Sequence, residues 1–599
     1  SQLQRVNAFV VPLDGDRCWY RYHHLFQELL RQRLARALPP TDIARLHRQA
    51  SAWFEAHGDV GEAIRHSLAA QDVEQAARMA ETAWEAMSRT FQSTGWLRWA
   101  RRLPERLIAV RPVLCAQIAQ SLVDVGEVDL SEDYLRLAER CLNDPTLEPV
   151  VIESKQLTAL PAQIAVARAY NALVDGTLPE AVRFAEQGLD LAPADEFLLR
   201  GQAHVTLGCA KWATGNLAAG AAALADWVEA TRRAGVPIWA VAGASGLADI
   251  LVEQGHLGQA LETYCRALES AATLGTEAEG VTARLLLALG LLHHELGEDD
   301  RATEVLQRAF ALGSRSTLVD WGYQRSLAEA RLLVSEGDLV AAIERLNDAA
   351  RLYVRTSAPN VRPVAALQSR LYLRQGDLPR AQGWVRASGV TPDDAPSYLR
   401  EFELVTLARV LTAEHALTRA PGSISAALSL LDRLLQPAIA NDRLASQIDI
   451  RITQALALQA LGERAQASVT LRTALKLAEP EGYRRVFSDE GEPLAALLTQ
   501  IATEPKPPIA SDYATAVASL YRSGRHAAGR ADLIEPLSER EIDVLRLVAQ
   551  GYSNQEISQK LFLALSTVKG HNLRAFGKLQ ARNRTQAVAR ARELGLLGV

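Results

Sequence analysis

Long hydrophobic runs, paired cysteines and a leading signal segment are all missing from the 599-residue sequence. No run of roughly eighteen apolar residues occurs, which argues against a membrane-spanning helix, and no charged-then-apolar segment opens the chain. The five cysteines are scattered singly and form no CxxC pair, which suits a reducing compartment and argues against a structural zinc. We therefore expect a soluble, cytoplasmic protein with no membrane contact.

Motifs that carry enzymatic chemistry are missing as well. The sequence contains no G-x-x-x-x-G-K-[ST] loop for phosphates, no G-x-S-x-G, no GxGxxG and no paired Cys–His arrangement. His293–His294–Glu295 begins like a zinc-protease motif, but Glu298 stands where the second histidine would be needed. His23–His24 also lacks partner ligands, so we interpret both pairs as packing residues. We predict that the chain is not an enzyme and holds neither a metal nor a cofactor.

Aromatic residues make up only 6% of the chain and good helix formers dominate, which favours an all-α fold in several domains. The net charge of −5 is unevenly distributed. The last 63 residues, from Leu537, hold ten Lys/Arg and five Asp/Glu, a net +5, so the remainder carries −10. A basic terminal module on an acidic body predicts an anionic polymer as partner.

A glycine closes one helical pattern after another, at spacings of 39 to 42 residues between Gly176 and Gly376. A small residue follows each glycine five positions later, where it lets the second helix of a hairpin approach its neighbour closely. Such units predict a solenoid of TPR-like hairpins, with helices longer than in the standard repeat of roughly 34 residues. The ten glycines are Gly58, Gly126, Gly176, Gly215, Gly255, Gly297, Gly337, Gly376, Gly422 and Gly462.

Breaks in this pattern set the domain boundaries. NAFVVPL followed by WYRYHHLFQELLRQRL indicates two strands leading into a helix, as at the end of a winged-helix domain. EPEGYRRVFSDEG is interpreted as a break after the last repeat, and TEPKPPIASD and SGRHAAGRAD as linker sequence, with a short helix around Tyr513–Tyr521. The predicted domains are the end of a winged helix (1–40), joining hairpins (41–170), a TPR-like repeat domain (171–500), a linker (501–536) and a helix-turn-helix domain (537–599).

Four short helices are predicted in the terminal module. Ser538 and Ser553, each followed three residues later by a glutamate, form capping boxes that start the first two helices. The third helix, capped by Ser566 or Thr567, buries Val568. Helices two and three at this spacing form a helix-turn-helix, whose third helix presents its N-terminal half to a DNA groove. The alternative is a helical cap of the solenoid with a solvated basic face.

Polar and basic side chains of this module are expected to contact DNA. Lys569 and Arg574 fall on the face opposite Val568, free to meet base edges or phosphates. Basic side chains at the start of the fourth helix can hold phosphates. The predicted contacts are Asn554, Ser566, Thr567, Lys569, His571, Arg574, Lys578, Arg582 and Arg584.

The terminal stretch from LSEREIDVL to ARARELGLL resembles the LuxR-type helix-turn-helix over its whole length, sharing L-S-E-R-E, G-x-S-N-x-E-I, T-V-K-x-H and R-T-Q-A-V. Together with the repeats, WYRYHHLF and LHRQASAWFEAHGDVGEAIRHSLAA, the chain resembles the MalT-like large ATP-binding LuxR regulators. The resemblance implies an N-terminal ATPase, a winged helix, a helical-repeat sensor and a DNA-binding end. It also implies that an inducer and ATP together drive self-association and promoter activation, with RNA polymerase as a partner.

The sequence departs from this family in two respects. It has no phosphate loop and opens on Ser1, so we expect a truncated chain, with ATP bound only in an N-terminal domain that is missing here. Self-association is then expected to be weak or absent, because the closing helix offers only Ala587, Ala591, Leu594 and Leu597 for a small interface. Leu573 stands where relatives often have a basic residue, and Arg574 is expected to compensate.

Aromatic and arginine side chains recur near the starts of the first helices of successive repeats. On a concave face, they would suit a sugar or an aromatic acid, the inducer. Packing between repeats and solvent-exposed arginines are the alternative. The candidate ligand-binding residues are Trp239, Trp321, Tyr323, Arg325, Arg362, Tyr398 and Arg400.

The sequence as a whole predicts a DNA-binding transcriptional regulator, an activator. Its helical repeats would sense an inducer or a partner, and its terminal module would read double-stranded promoter DNA. The alternative is a helical-repeat interaction scaffold whose basic module binds another protein. Salt-sensitive DNA binding favours the regulator, and salt-indifferent protein binding favours the scaffold.

Overall fold

The computed structural model describes residues 10–12, 20–22, 24–89, 92–123, 125–144, 146–314, 318–356, 358–419, 421–503, 513–520, 537–561, 563–579, 581 and 583–593. The chain divides into two compact units, Ser1–Leu199 and Arg200–Val599. Apart from two short strands, every regular element in these ranges is helical, which confirms the predicted all-α fold. None of the described helices combines the length and the apolar character that a membrane crossing requires.

The first unit opens with the strand pair that the sequence predicts. Strand β1 (Val10–Pro12) pairs antiparallel with β2 (Tyr20–Tyr22), and β2 leads into helix α1 (His24–Ala37). Hairpins follow, and the core of the unit forms around Trp96, whose indole Nε1 donates to the Ala80 carbonyl at 2.7 Å. The helices are α2 (Pro40–Ala56), α3 (Val60–Ala69), α4 (Val73–Arg89), α5 (Ser93–Ala100), α6 (Glu105–Ile108), α7 (Pro112–Val123), α8 (Val128–Asn143), α9 (Ser154–Asp175) and α10 (Leu178–Leu191).

The second unit continues the hairpins from α11 (Phe197–Ala213), within which the unit boundary falls. In six of the hairpins the first helix packs against the second, and in four of these it also contacts the first helix of the next hairpin. The further helices are α12 (Leu217–Arg233), α13 (Pro237–Gln254), α14 (Leu257–Ala272), α15 (Glu279–Glu295), α16 (Asp299–Gly313), α17 (Trp321–Glu336), α18 (Leu339–Leu352), α19 (Val364–Arg374), α20 (Leu378–Ser388), α21 (Tyr398–Thr418), α22 (Pro421–Ala440), α23 (Leu444–Leu461) and α24 (Arg464–Ala478).

The repeat signature is confirmed at nine of the ten glycines, which have φ between 72° and 99°. The small residue five positions after each of the ten is buried, including Gly220 and Ala427. The prediction is wrong at Gly422, which lies inside α22. Arg419, at φ 59°, ends α21 in the left-handed conformation instead. The helix therefore stops three residues earlier than a glycine-based rule predicts.

The repeats of this unit curve far enough for distant hairpins to touch. Helix α13 packs against α23. A Cβ atom built on Gly255 would lie 2.6 Å from the Cβ of Leu444, and one on Gly215 would lie 2.8 Å from the Cβ of Tyr398. Glycine is thus required at these two turns for close approach as well as for the left-handed backbone.

Residues 482–491, here named the crossing segment, pass along the inner side of this curve. Tyr483 donates its hydroxyl to the Val252 carbonyl at 3.3 Å, and the Arg484 N–H donates to the Glu295 carbonyl at 3.0 Å. Ser335 donates to Asp489 at 2.6 Å. The stretch interpreted as a break from the sequence is therefore a structural link between α13, α15 and α17.

The segment after it is only partly a linker. Helix α25 (Arg485–Ser488) lies within the crossing segment, and α26 (Glu492–Thr503) includes the first residues of the predicted linker. Residues 513–520 form a helix, α27, as the sequence predicts, and its Ala514 and Val517 are fully buried in the core of the repeats. The rest of the predicted linker lies outside the described residues.

Candidate nucleic-acid interface and repeat cavity

The terminal module consists of α28 (Glu539–Ala549), α29 (Asn554–Leu561), α30 (Leu565–Lys578) and α31 (Arg584–Glu593). Ser538 forms the predicted capping box with Glu541. At the start of α29, the Ser553 N–H donates to the Glu556 carboxylate at 2.7 Å, and the Glu556 N–H donates to Ser553 Oγ at 3.4 Å. Both capping boxes are therefore confirmed.

The start of α30 differs from the prediction. Its N-cap is Ala564, which makes no side-chain cap, so the prediction of a cap by Ser566 or Thr567 is wrong. Both residues lie in the first turn and are exposed. Because their hydroxyls are not used for capping, they stand beside first-turn N–H groups that have no partner within the helix. This geometry suits a phosphate oxygen.

The two faces of α30 differ sharply in burial. Val568 and Ala575 are fully buried against α28 and α29, while Lys569 is exposed. Leu573, one turn after Lys569, is 76% exposed. The outward face thus combines hydroxyls, an ammonium group and one bare aliphatic side chain, which a DNA groove can accommodate.

Asn554 has a positioning contact that the sequence did not reveal. The Nδ2 of the buried Asn572 donates to Asn554 Oδ1 at 2.9 Å, joining α30 to α29. Asn572 stands four residues after Val568 and therefore lies on the buried face of α30. A polar residue at a buried position needs a hydrogen-bond partner, and this was the signal in the sequence that could have revealed the contact. The contact fixes the angle between the two helices of the helix-turn-helix.

Two of the predicted contacts, Lys578 and Arg574, face Glu541. The Lys578 ammonium donates to Glu541 Oε2 at 3.0 Å, and Arg574 Nε lies 3.7 Å from Oε1. Burial raises the pKa of Glu541, but the Ser538 N–H and the Lys578 ammonium outweigh burial, and the pKa lies below its usual value. Lys578 is therefore used inside the module, whereas Arg574, 60% exposed, still reaches the surface beside the part-buried His571.

Arg584 is also used internally. Its Nη2 donates to the carbonyl of Val548 at 3.0 Å and to that of Tyr552, and so satisfies carbonyls at the end of α28. Arg582, Leu594 and Leu597 lie outside the described residues. Ala587 and Ala591 are fully buried in the module core, so the prediction that they offer an interface is wrong.

The predicted ligand-binding residues pack mainly between repeats. Trp239 and Trp321 are buried, and the ring of Trp321 lies directly against Gly313. Tyr323 contacts Tyr353 edge-on at 5.2 Å, and burial raises its pKa to about 12. These three side chains belong to the protein core, as the alternative interpretation held.

The four remaining candidates are paired with protein groups. Arg325 donates to Glu329 at 2.7 Å, and Arg400 lies 3.2 Å from Asp394. Arg362 and Tyr398 both reach Glu253, at 3.1 Å and 3.5 Å. Of the seven candidates, Arg362 lines the cavity described next.

A cavity of about 1280 Å³ lies between α13, α15, α17, α19, α21 and α23, and the crossing segment forms one of its walls. Apolar side chains cover most of its surface, interrupted by many charged ones. Asp249, Arg331 and Arg370 each stand six residues before a repeat glycine, a periodic signal that sequence reasoning missed. The charged lining residues are Asp249, Glu253, Arg284, Glu295, Arg331, Arg362, Arg370, Arg374, Arg409, Asp449, Arg485, Asp489, Glu490 and Glu492.

Most of the charged side chains that line the cavity form ion pairs. Asp449 accepts from Arg370 at 2.9 Å and from Arg409 at 2.8 Å. Burial raises the pKa of Asp449, but the two guanidinium groups outweigh burial and hold the pKa well below its usual value. Burial raises the pKa of Glu295 and of Asp489.

The histidines that begin like a zinc motif have a packing role, as predicted. His293 pairs with Glu298 at 2.7 Å, and His294 contacts Ser335 at 2.8 Å. Burial, with Arg331 and Arg485 nearby, lowers the pKa of His294 to about 3. Within the described ranges, no cluster of three or more His, Cys, Asp or Glu side chains could hold a metal ion.

Three family profiles match the chain. The MalT winged helix domain matches residues 1–42, the MalT-like TPR region matches 162–504, and the bacterial regulatory proteins of the luxR family match 535–591. The profiles agree with the strand pair, the repeats and the terminal module seen in the structure.

Curated relatives include two proteins named HTH-type transcriptional regulator MalT. The one from Serratia proteamaculans (strain 568) is 26% identical and the one from Klebsiella pneumoniae (strain 342) 27% identical. Each alignment covers 99% of this chain and 66% of the relative, so the chain spans less than two thirds of their length.

The comparison with solved structures gives matches of low TM-score. A Rap protein complexed with Competence and Sporulation Factor has a TM-score of 0.36 at 14% identity, covering 68% of this chain and 98% of that one. Yeast Tom70 has a TM-score of 0.29 at 13% identity, covering 80% and 100%.

Proposed function

The chain belongs to the MalT-like family of regulators, and from this premise we propose that it binds promoter DNA through α28–α31 to control transcription. The proposal rests on one observation: the outward face of α30. Ser566, Thr567, Lys569 and Leu573 are exposed together there, on a helix whose opposite face is buried. A helix of this kind fits the major groove.

Lys569 supplies the charge on that face. It is exposed, and it makes no ion pair within the part of the chain that the structure describes. Arg574 extends the basic surface next to it. Lys578 and Arg584 are used internally, so these two cations are not available to neutralise phosphates. We expect a lone module to bind DNA with modest affinity and a shallow salt dependence.

The experiment is DNA selection with the full chain, followed by titration of the selected duplex at several salt concentrations. Replacing Lys569 with Ala should weaken binding roughly tenfold and lower the slope of log K against log salt by about one, because one phosphate contact is lost. Lys476→Ala, on an exposed site of α24, is the matched control and should bind like the wild type. Wild-type binding by Lys569→Ala, or salt-indifferent binding, contradicts the proposal.

The repeats supply the sensing part of the proposed function. A cavity of about 1280 Å³ is large enough for a small-molecule inducer, and the crossing segment connects its wall to α26 and α27. The terminal module follows α27 in the chain. An inducer bound against the crossing segment would thus act on the segment that leads to the DNA-binding module, and promoter activation would involve RNA polymerase.

We further propose that this chain binds no nucleotide and catalyses no reaction. The sequence has no phosphate-binding loop. The charged groups in the cavity are mostly paired with one another, as in a structural network. Calorimetric titration with ATP and magnesium should give no saturable heat. Micromolar affinity or ATP hydrolysis by the purified chain contradicts this proposal.

A further inference from the structure

Seven arginines line the repeat cavity, and six of them have an acidic partner. Each pair gives a guanidinium group a carboxylate partner, and the side chains of Arg370, Arg409 and Arg485 are largely removed from solvent. The partners are Asp320 for Arg284, Glu295 for Arg331, Glu253 for Arg362, Asp449 for Arg370, Asp449 and Glu490 for Arg409, and Asp299 for Arg485.

Arg374 is the exception among the described residues. It ends α19, and its buried Nη1 has no acceptor in the protein. Its Nε lies close to the crossing segment, 3.8 Å from where a Cβ of Gly491 would be. A buried donor without an acceptor destabilises the protein, and a guanidinium fork matches the two oxygens of a carboxylate.

The surroundings of Arg374 suit the rest of such a ligand. Leu371, Phe402 and Ala413 line the same cavity and offer an apolar wall. Asp489 lies near enough for the charge of Arg374 to act on its pKa, but it accepts from Ser335 and Glu490 pairs with Arg409, and among the described residues neither forms an ion pair with Arg374. Space, an unpaired cation and apolar walls therefore occur together.

From this arrangement we propose that the cavity binds a small organic carboxylate with an apolar body, whose carboxylate pairs with Arg374 beside the crossing segment. The inference rests on the proposed sensing function and gives its ligand a chemical class. The carboxylate satisfies the unpaired guanidinium, and the apolar body covers the leucine and phenylalanine surface. A ligand in this position contacts both the repeats and the crossing segment, so its binding stabilises the crossing segment in its place.

The test is calorimetric titration of the full chain with butanoate, octanoate, dodecanoate and phenylacetate, each beside its uncharged primary amide. At least one carboxylate should bind saturably, and its amide roughly tenfold more weakly or not at all, because the charge-assisted pair is lost. Failure of all four carboxylates to bind at millimolar concentration overturns the inference. Equal binding of a carboxylate and its amide overturns it too.

Variants locate the site. Arg374→Gln should weaken binding of the carboxylate roughly tenfold, and Arg374→Lys should retain part of the affinity, because a point charge remains. Arg386→Gln, an exposed arginine on the neighbouring α20, is the matched control and should bind like the wild type. Since Nη1 of Arg374 has no acceptor and Arg374 forms no ion pair among the described residues, either change at this position should lower the thermal unfolding temperature only slightly. Unchanged affinity in Arg374→Gln overturns the assignment.

DNA titration of the same proteins without ligand separates the two proposals. Arg374→Gln should bind the selected duplex like the wild type. Carboxylate binding that depends on Arg374, in a chain that fails to bind DNA, contradicts the proposed function and leaves the site standing. DNA binding by a chain that binds no carboxylate contradicts the carboxylate site and leaves the proposed function standing.

Discussion

At the scale of single residues, four of the basic side chains that were predicted to contact DNA divide into two sets. Lys578 and Arg584 contact Glu541 and the carbonyls at the end of α28, and so hold the module together. Lys569 and Arg574 remain on the surface. The positive charge counted from the sequence is thus larger than the positive charge that is exposed for contact with DNA.

Glu541 gives the first prediction. Its pKa is lower in the folded module than the ordinary value of 4.5, so its stabilising effect is complete above that value and is lost as the pH falls through the folded pKa. The protection factors of the α28 and α30 amides, that is, their exchange rates corrected for the intrinsic rate at each pH, should therefore fall in acid. Glu541→Gln should destabilise the module by about 1–3 kcal/mol at neutral pH and flatten this pH dependence.

Asp543→Asn is the control for this prediction, because it replaces a more exposed carboxylate on the same helix. It should keep the acid-dependent loss of protection. Equal pH profiles for Glu541→Gln and the wild type would show that Lys578 and Ser538 do not hold the carboxylate ionised.

Leu573 gives the second prediction. An aliphatic side chain that is 76% exposed on the outward face of α30 can contact the methyl group of a thymine in the major groove. Leu573→Ala should weaken binding of the selected duplex by about 1 kcal/mol, roughly fivefold, and relax the preference at one thymine. Leu417→Ala, 75% exposed on α21, should change neither. Titration of the selected duplex measures the affinity of each variant, and repeated DNA selection measures its preference at the thymine.

The sequence was sufficient to predict which face of α30 is exposed, because helical periodicity determines it. It could not predict that Lys578 and Arg584 are engaged, since their partners lie on α28, more than thirty residues earlier. The cavity was missed for a related reason. Three of its charged residues, Asp249, Arg331 and Arg370, lie in the later part of first helices, whereas the predicted aromatic residues lie at helix starts, where they are buried.

At the scale of the elements, two helix-ending glycines with nearly the same backbone give the third prediction. Gly255 (φ 99°) and Gly462 (φ 96°) both favour glycine, so Ala at either position should cost about 1–2 kcal/mol. A methyl group on Gly255 would also overlap Leu444 of α23, whereas Gly462 has open space. Gly255→Ala should therefore cost a further 1–3 kcal/mol or so.

Denaturant unfolding of the two variants measures the difference. Because the backbone effect is shared, the excess in Gly255→Ala reports the contact between distant hairpins. Equal destabilisation would mean that α13 and α23 can separate without loss. The glycine pattern itself was readable from the sequence, but Gly422 shows its limit: an arginine can end a helix in the left-handed conformation when a proline starts the next one soon after.

At the scale of the whole molecule, the surface of the module gives the fourth prediction. Ala587 and Ala591 of α31 are buried and Val588 is half-buried, and the outward positions of this helix within the described residues include Gln586, Arg590 and Arg592. The chain should therefore be largely monomeric. A duplex with two half-sites should bind it more tightly than a duplex with one half-site, and the gain should come only from weak contacts between the two bound copies. Light scattering and a comparison of the two duplexes check this. A stable dimer at low micromolar concentration contradicts it.

The repeats were predictable because their sequence is periodic. The crossing segment was not predictable because its sequence has no periodic pattern. Its partners, Val252, Glu295 and Ser335, come from three different hairpins far earlier in the chain. Nothing in the stretch EPEGYRRVFSDEG itself indicates which residues it contacts. Long-range contacts of this kind leave no local pattern.

The crossing segment also changes how the repeats should unfold. In an array whose hairpins contact only their neighbours, folding can start anywhere and the ends can fray independently. Here, residues 482–491 join hairpins that lie as many as 231 positions earlier in the sequence. Closing such loops slows folding, since the entropy is lost before the contacts form. Once closed, they oblige the intervening hairpins to open together, so an elongated repeat array acquires the all-or-none transition of a much more compact protein.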